Sequence, residues 1–411
     1  MAATPTGGFF MSAHHPLRLA VIGGNRGFSY ARTIDALKEH IELKVVCDLD
    51  ENVFGKWKER YPDIQTSTNY EKLLDDDSID AVFIATPMLI HARQSVQAMR
   101  AGKHVLCEVS SAHTVEDCWE LVETVEQTGC VYMMAENFCY TRLNMMIRNM
   151  SEQGLFGELT HAECGYIHDV RIATNNEDGT LKWRGEMLRD YNGINYPTHS
   201  LGPIAQWLGI NQKDGDSFDY MTTVVSKPAS QCDYFAELFG KDHPGAQPDY
   251  WKQGDSALTL IRTKKGAVIY LRNDFSSPRP FNYKHHALQG TKGSLIPPRF
   301  EGEEPMVWFD SFSSERSYNG NVTWTPVWEY ADRFEHPWWQ QSREKAESVA
   351  AFGDYFIMKE FAEAIREGRR PEMDVYDSVA ISSVFPLSVE SAANRGKPVS
   401  FPDFARNKFK F

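Results

Sequence analysis

The sequence contains no apolar run of about 18 residues, the length needed to cross a membrane. It also has no long run of Lys or Arg, and its formal net charge is −13, so a nucleic-acid-binding role is not expected. No Cys-x-x-Cys pair occurs among its seven cysteines, which favours reduced thiols in the cytoplasm over disulfides or a zinc site. The pairs His14-His15 and His285-His286 lack metal-ligand context, so no metal is expected.

The composition is that of a soluble globular protein. The 411 residues are 42% hydrophobic and 24% charged, and this length favours two domains. Residues 1–16 lack the basic and apolar regions of a signal peptide and are expected to form a disordered leader. Residues 17–137 are predicted to form the first domain and residues 138–411 the second.

The first domain begins with the pattern of a dinucleotide-binding βαβ unit. An apolar run, Leu17–Ile22, leads into a glycine-rich turn, a helix-like stretch, a second strand at Leu43–Cys47 and then Asp48. The turn residues predicted to bind the cofactor are Gly23, Gly24, Asn25, Arg26 and Gly27. Asp48 lies where a carboxylate would accept hydrogen bonds from a ribose, which favours NAD over NADP. The turn is not a clean G-x-G-x-x-G, so a tight turn of another α/β protein remains the alternative.

The strand and helix alternation continues through residues 81–134. Strands are predicted at 81–85, 104–107 and 131–134, with helices at 91–101 and 114–127. Ligands of parallel sheets bind beyond the carboxyl ends of the strands, where Glu136 also lies. The cofactor-binding residues predicted in this region are Thr86, Pro87, His91, Glu108 and Val109.

A second candidate site lies in the stretch Asn192–Gly209. An apolar stripe predicts a helix that Gly209 ends, with Thr198 as its N-cap and His199 in its first turn. The positive end of the helix dipole would favour a neutral imidazole, which could act as a base near pH 7. Tyr196 is close enough in sequence to point into the same cavity. The alternative is that this His and Tyr only pack.

The second domain reads as an α+β fold. Strands are predicted at 158–166, 257–261, 267–272 and 285–289, which favours an antiparallel sheet. Residues 173–192 are polar and loop-like, and helices are predicted at 144–153, 354–366 and 377–394. Residues 396–411 are predicted to return onto the first domain as a tail.

Several segments resemble the Gfo/Idh/MocA oxidoreductase superfamily, namely VIGGNRG, CDLD, IATPMLIH and AGKHVLCEV. This resemblance implies an NAD-binding Rossmann domain with a parallel sheet, followed by a domain on a large, open, mostly antiparallel sheet. Such sheets often mediate homodimers or homotetramers. Dehydrogenases of the superfamily carry a lysine after the HV strand, but here the residues are Glu108-Val109-Ser110, so either the activity is lost or another residue is the base.

A more specific resemblance covers most of the chain. The segments ENFCYTR, GLFGELTHAECGYIHDVR and NYPTHSLGPIAQWL are similar to NAD-dependent glycoside hydrolases of the bacterial α-N-acetylgalactosaminidase type. This implies transient oxidation of the sugar at C3, β-elimination of the aglycone, addition of water and re-reduction. Such a route does not require the paired carboxylates of ordinary glycosidases.

The resemblance also implies roles for particular residues. His199 would deprotonate the C3 hydroxyl, Tyr166 would move the C2 proton, and Tyr196 would act near the leaving group. The substrate-binding residues implied are Glu136, Arg184, Lys182 and His168. His168 and Asp169 could pair with each other or make only a structural hydrogen bond.

The substrate stays open between an N-acetylgalactosaminide, a neutral hexoside and an anionic glycoside such as a sulfoquinovoside. Two departures from the family pattern, Ser110 and Phe281, leave it so, and the basic residues Lys182 and Arg184 fit an anion. The alternative functions are an NAD-dependent sugar 3-dehydrogenase that uses His199 as its base, and a non-catalytic regulator.

Overall fold

The chain folds into two compact units. In this computed structural model, residues 15–313, 323–349, 353–406 and 408 are described. The first unit comprises the chain up to Tyr140 together with Gln341–Val379, and the second comprises Thr141–Gln340 with the chain from Ala380 onward. The sequence placed the boundary three residues earlier, at 137, and did not anticipate the return of 341–379. The predicted leader lies almost wholly outside the described residues.

The first unit is built on a parallel sheet that, among the described residues, has six strands in the order β3-β2-β1-β4-β5-β6. These strands are β1 (Leu17–Ile22), β2 (Ile41–Cys47), β3 (Gln65–Ser67), β4 (Ala81–Ile84), β5 (His104–Cys107) and β6 (Tyr132–Met134). All four residues of β4 are buried, as expected for a strand covered on both faces. The order reverses between β1 and β4, and this switch point is where doubly wound sheets bind ligands.

The helices of the first unit follow the predicted alternation with the sheet. They are α1 (Gly24–Gly27), α2 (Ala31–Ala36), α3 (Phe54–Arg60), α4 (Tyr70–Leu74), α5 (His91–Arg100), α6 (Val115–Thr128) and, from the returning segment, α13 (Asp354–Glu367). Thr114 caps α6, because its Oγ1 accepts a hydrogen bond of 3.0 Å from the Asp117 N–H. Helix α13 packs against α2, so the returning segment is part of this unit.

The second unit is built on a larger sheet in which neighbouring strands are antiparallel except for β7 and β10. Among the described residues it has nine strands in the order β14-β13-β12-β11-β7-β10-β9-β8-β15. They are β7 (Leu159–Ile167), β8 (Phe218–Val225), β9 (Ser256–Thr263), β10 (Val268–Asp274), β11 (Asn282–Gly290), β12 (Gly293–Ile296), β13 (Met306–Phe309), β14 (Thr325–Pro326) and β15 (Val399–Ser400). The predicted fold class, a Rossmann domain with a mostly antiparallel second domain, is confirmed.

The helices of the second unit are α7 (Arg142–Glu152), α8 (Trp183–Asp190), α9 (Thr198–Trp207), α10 (Ala229–Phe239), α11 (Ala331–Phe334) and α15 (Val384–Ala393). Helix α9 packs on β7, β10 and β11, and α15 packs on β8 and β15. Two more helices, α12 (Pro337–Val349) and α14 (Val375–Ser382), cross the chain boundaries between the units. Within the described residues, no helix is both long enough and apolar enough to span a bilayer.

Three sequence predictions need correction. The stretch 173–192 is not all loop, because α8 forms within it. The single helix predicted at 377–394 is two helices, α14 and α15, which Ser383 separates. The tail was predicted to return to the first domain, but its residues Val399–Ser400 pair with β8 of the second sheet and satisfy backbone groups at its edge.

Candidate active site

The glycine turn of the first unit fits a bound dinucleotide. Gly23 follows β1 with φ +92°, a left-handed backbone that side chains rarely adopt. A Cβ added there would lie 2.5 Å from the Ala85 carbonyl carbon, so the loops after β1 and β4 can approach closely only because this residue is glycine. The turn thus brings the start of α1 close to the switch point, where a pyrophosphate would bind.

Asp48 lies at the carboxyl end of β2, where an adenosine ribose would be recognised. Its carboxylate accepts hydrogen bonds from the backbone N–H groups of Asn25 at 3.2 Å and Asp50 at 3.0 Å. The first of these ties the carboxylate to the glycine turn. A negative charge held here accepts from ribose hydroxyls and repels a 2′-phosphate, so the residues present fit NAD.

Arg26 and Glu108, both predicted to bind the cofactor, form an ion pair with each other. The Arg26 guanidinium lies 2.6 Å from the buried Glu108 carboxylate, which neutralises that carboxylate. Val109, also buried, donates its N–H to the other Glu108 oxygen at 3.3 Å. In the loop after β4, the Thr86 hydroxyl donates to the Gln94 amide oxygen at 2.6 Å. The direct cofactor contacts of these residues stay predictions.

His91 is buried, and both of its ring nitrogens contact backbone carbonyl oxygens. Its Nδ1 lies 2.9 Å from the Ser110 carbonyl oxygen, and its Nε2 lies 2.8 Å from the Thr86 carbonyl oxygen. Burial alone lowers the pKa of His91, but Cys107 and the two carbonyls raise it to about 9, as expected for a ring that donates from both nitrogens. His91 therefore joins the loops after β4 and β5, and its contact with NAD stays a prediction.

Glu136 follows β6 and is fully buried. Its Oε1 accepts a hydrogen bond from the Phe138 N–H at 3.1 Å, which orients the carboxylate. The next residue, Asn137, donates from its amide to Asp354 on α13 at 3.1 Å, and burial raises the pKa of Asp354 to about 6. Sequence reasoning missed Asp354, because it lies 217 residues from Asn137. The sugar-holding role of Glu136 stays a prediction.

We expect Gly23→Ala to abolish tight retention of NAD. A left-handed alanine costs about 1–2 kcal/mol, and here its Cβ would also collide with the backbone after β4. Gly102→Ala is the matched control, since Gly102 has φ +78° but nothing within 4 Å of the added Cβ. Both variants should lose melting temperature, but only Gly23→Ala should lose nicotinamide on gel filtration. Equal retention by the two variants would contradict this reading of the turn.

In the second unit, the three residues predicted to be catalytic lie together. Tyr166 is at the end of β7, and Tyr196 and His199 flank the start of α9. The ring centroids of Tyr166 lie 5.3 Å from Tyr196 and 5.2 Å from His199. The Tyr196 hydroxyl is 3.4 Å from the His199 Nε2. Two phenols and one imidazole therefore share one small volume.

Asn273 on β10 holds this cluster together. Its side-chain oxygen accepts from the Tyr196 N–H at 3.1 Å, and its amide donates to the Tyr166 carbonyl oxygen at 3.4 Å. The prediction that Thr198 caps α9 is wrong, because the helix already includes Thr198 and the cap position is Pro197, whose carbonyl accepts from the Leu201 N–H. His199 is in the first turn, as predicted, and only 9% of its surface is exposed.

His168 and Phe281 extend the cluster on one side. The His168 Nδ1 lies 3.4 Å from the Tyr166 hydroxyl, and the Phe281 ring centroid lies 4.2 Å from that of His168. Burial lowers the pKa of His168, so its ring is neutral near pH 7 and can exchange a hydrogen bond with Tyr166. The hydrogen bonds of Asp169 go to Arg171, so the suggested pairing of His168 with Asp169 is not the arrangement found.

Arg184 and Lys182 differ in their surroundings. Arg184, in the first turn of α8, stacks on Trp183 at 4.2 Å, and its charge is near enough to contribute to the lowered pKa of His168. Lys182 precedes the helix with an exposed side chain. The structure thus brings Arg184 toward the Tyr166 cluster and gives no such contact for Lys182.

Comparisons with known proteins match both parts of the chain. Residues 140–411 match the family model described as glycosyl hydrolase 109, C-terminal domain, and residues 17–136 match the oxidoreductase family with an NAD-binding Rossmann fold. A glycosyl hydrolase family 109 protein 1 of Shewanella sp. (strain MR-4) is 37% identical, covering 96% of this chain and 86% of that protein. The α-N-acetylgalactosaminidase of Shewanella oneidensis is 37% identical over the same shares.

The fold also resembles solved structures. Levoglucosan dehydrogenase in complex with NADH superposes with a TM-score of 0.74 at 21% identity, covering 94% of this chain and all of that one. At that identity the likeness extends to the fold alone. The family models and the relatives decide the family: the chain belongs to glycosyl hydrolase family 109 and is an NAD-dependent glycoside hydrolase, with an NAD-binding Rossmann domain joined to the family's C-terminal domain.

Proposed function

We propose that the enzyme cleaves glycosides by elimination and hydration, with His199, Tyr166 and Tyr196 moving the protons. The observation that supports this most strongly is the clustering of these three rings within 5.1–5.3 Å of one another in a chain of this family. Ordinary glycosidases instead use two carboxylates at a set separation. The groups of the cluster are imidazoles and phenols, which suit proton transfer at hydroxyl and carbon atoms.

Bound NAD⁺ supplies the transient oxidation of the sugar at C3 and its later re-reduction, so the overall reaction is hydrolysis. His199 Nε2 accepts the proton of the C3 hydroxyl and returns it at the end. Tyr166 Oη takes the C2 proton, and the C2–H electron pair forms the C1–C2 double bond as the bond from C1 to the leaving oxygen breaks. Tyr196 Oη donates a proton to that oxygen, and water then adds at C1 as C2 regains its proton.

To act on C2, Tyr166 must first give up its phenolic proton. His168 Nδ1 is 3.4 Å from its hydroxyl, and the positive charge of Arg184 is close to His168. A nearby cation stabilises a phenolate, whereas a carboxylate would oppose it. Asp169, an acid of the same segment, forms an ion pair with Arg171 at 2.8 Å.

The substrate that we propose is an α-N-acetylgalactosaminide, as the name of the Shewanella oneidensis relative indicates. An anionic glycoside is the alternative, because Arg184 adds positive charge beside the cluster. Phe281, 41% exposed and in contact with His168, offers an apolar wall rather than a hydroxyl. At this position a sugar pocket would distinguish substrates by their shape and not by a hydrogen bond.

The test is a panel of aryl glycosides, neutral, N-acetylated and anionic, assayed with and without NAD⁺. We expect aglycone release without accumulation of free NADH, and one deuterium at C2 of the sugar product when the reaction runs in D₂O. Cleavage that needs no NAD⁺ and leaves C2 unlabelled would refute the mechanism. Accumulation of free NADH with no aglycone release would identify a sugar dehydrogenase instead.

We further propose that the protein is a homo-oligomer of the cytoplasm. Exposed apolar side chains lie on the face of the second sheet opposite α9, on β8, β9 and β10: Tyr220, Val224, Leu260 and Val268. An apolar face of this kind is best covered by a second copy of the chain. The seven cysteines are all free and buried, which suits a reducing compartment. Sedimentation equilibrium should give the mass of two or four chains.

A further inference from the structure

Helix α9 contains a proline at a position that affects His199 directly. Pro203 lies inside the helix, four residues after His199. A proline has no N–H, and its ring presses against the carbonyl four residues earlier, so the helix cannot supply the usual hydrogen bond to that carbonyl. The carbonyl that loses its donor belongs to His199, the proposed base.

His286 on β11 supplies a donor at this place. Its Nε2 lies 3.2 Å from the His199 carbonyl oxygen and 3.0 Å from that of Ser200. Because both neighbours are acceptors, Nε2 must carry the proton. Burial lowers the pKa of His286 to about 4, so the ring is neutral and holds its single N–H on this nitrogen.

Packing fixes the His286 ring in this orientation. Only 5% of its surface is exposed, and its ring centroid lies 5.9 Å from that of Trp207, the last residue of α9. Helix α9 packs on β11, so a strand of the sheet determines where the first turn of the helix lies. That first turn carries His199, whose Nε2 is 3.4 Å from the Tyr196 hydroxyl.

We propose that His286 is a positioning residue for His199, because it provides the hydrogen bond that Pro203 cannot. By holding the His199 carbonyl, it keeps the imidazole beside Tyr166 and Tyr196. The consequence for catalysis rests on the proposed function, whereas the positioning itself does not. The role of His286 depends on Pro203, because a helix without this proline would supply its own N–H to the His199 carbonyl and would not require a second donor.

The test combines two substitutions. His286→Leu removes the donor, and we expect kcat to fall by about 10²-fold with little change in KM, as for a base displaced by about 1 Å. Pro203→Ala in the same chain restores a backbone N–H four residues after His199, and we expect kcat to recover most of the loss. His286→Gln, which keeps an amide donor of similar reach, should also be more active than His286→Leu.

A general effect of losing a buried histidine is tested with His104→Leu. His104 in the first unit is half-buried, has its pKa lowered by burial to about 4, and accepts a backbone hydrogen bond from Val131 at 2.9 Å. This control should lower the melting temperature without lowering kcat of the folded enzyme. If His286→Leu does not fold, His286→Asn replaces it in the comparison with His286→Gln, because the shorter Asn side chain does not reach the His199 carbonyl.

The position of His199 can be read without turnover. In protein labelled with ¹⁵N at histidine, the His199 ring signals, assigned by their loss in His199→Asn, should shift in His286→Leu and return in the double variant. Unshifted signals in His286→Leu, or no recovery on adding Pro203→Ala to a folded variant, would overturn the proposal. A wild-type enzyme that cleaves no glycoside would refute the proposed function, but it would leave this spectroscopic result to decide the positioning role.

Discussion

Replacing His199 with alanine should lower kcat by about 10³-fold and also stop deuterium from entering C2. General bases contribute about 10²–10⁴-fold, and His199 is buried next to Tyr196, where water cannot easily take over. Removal of the C2 proton depends on prior oxidation at C3, so losing the base at the C3 hydroxyl lowers aglycone release and deuterium incorporation at C2 together. The retained NAD should not change, because the glycine turn and Asp48 are untouched.

The measurement is aglycone release together with isotope analysis of the recovered sugar. His161→Ala is the matched control, since His161 is a partly exposed histidine of β7 that pairs with Glu163 at 3.3 Å. It should keep wild-type kcat and C2 labelling. If His199→Ala keeps more than a tenth of the wild-type kcat, the base must be another residue.

Tyr166→Phe should separate the two halves of the reaction. It removes one oxygen and keeps the ring contacts with Tyr196 and Phe275, so the fold of the cluster should persist. With His199 intact, we expect the absorbance of reduced nicotinamide to rise when glycoside is added, although release of aglycone falls by about 10²–10⁴-fold. C2 of the recovered substrate should carry no deuterium.

Stopped-flow absorbance and product analysis would test this prediction, with Tyr270→Phe as the control. Tyr270 lies on β10 and is partly exposed, so it loses the same atom away from the cluster. Aglycone release by Tyr166→Phe at the wild-type rate would show that Tyr166 does not move the C2 proton. Absence of both nicotinamide reduction and cleavage would instead place Tyr166 in substrate binding.

The cofactor half was largely readable from the sequence, because its signals are local. A strand, a glycine turn, a helix and an acidic strand end lie within 17–48 in the predicted order, although α2 is shorter than the predicted helix of 29–40 and β2 begins two residues before the predicted strand. The ring contacts of His91 were not predicted, since its position at the start of a helix beside the switch point does not show that both ring nitrogens contact carbonyls. The contact of the His91 Nδ1 depends on Ser110 in the loop after β5, 19 residues away.

The acid–base set was readable only in part. Tyr196 and His199 are neighbours in sequence, whereas Tyr166 was included by family resemblance and is brought to them by the pairing of β7 with β10. Pro203, four residues after His199, was a local signal that the His199 carbonyl needs another donor. The identity of that donor could not be predicted from the sequence, because His286 lies 87 residues away, on β11.

The sequence by itself determined the two folding patterns, the family and the residue types at the site, because hydrophobic period, turn chemistry and motif spacing are local properties of the chain. Only the tertiary structure decided which side chains meet. Asn273 joins Tyr166 to Tyr196, Asp354 holds Asn137, and His286 completes α9 at His199. These contacts are set by strand order and register across long separations in sequence, because a buried polar group is stabilised when it finds a hydrogen-bond partner.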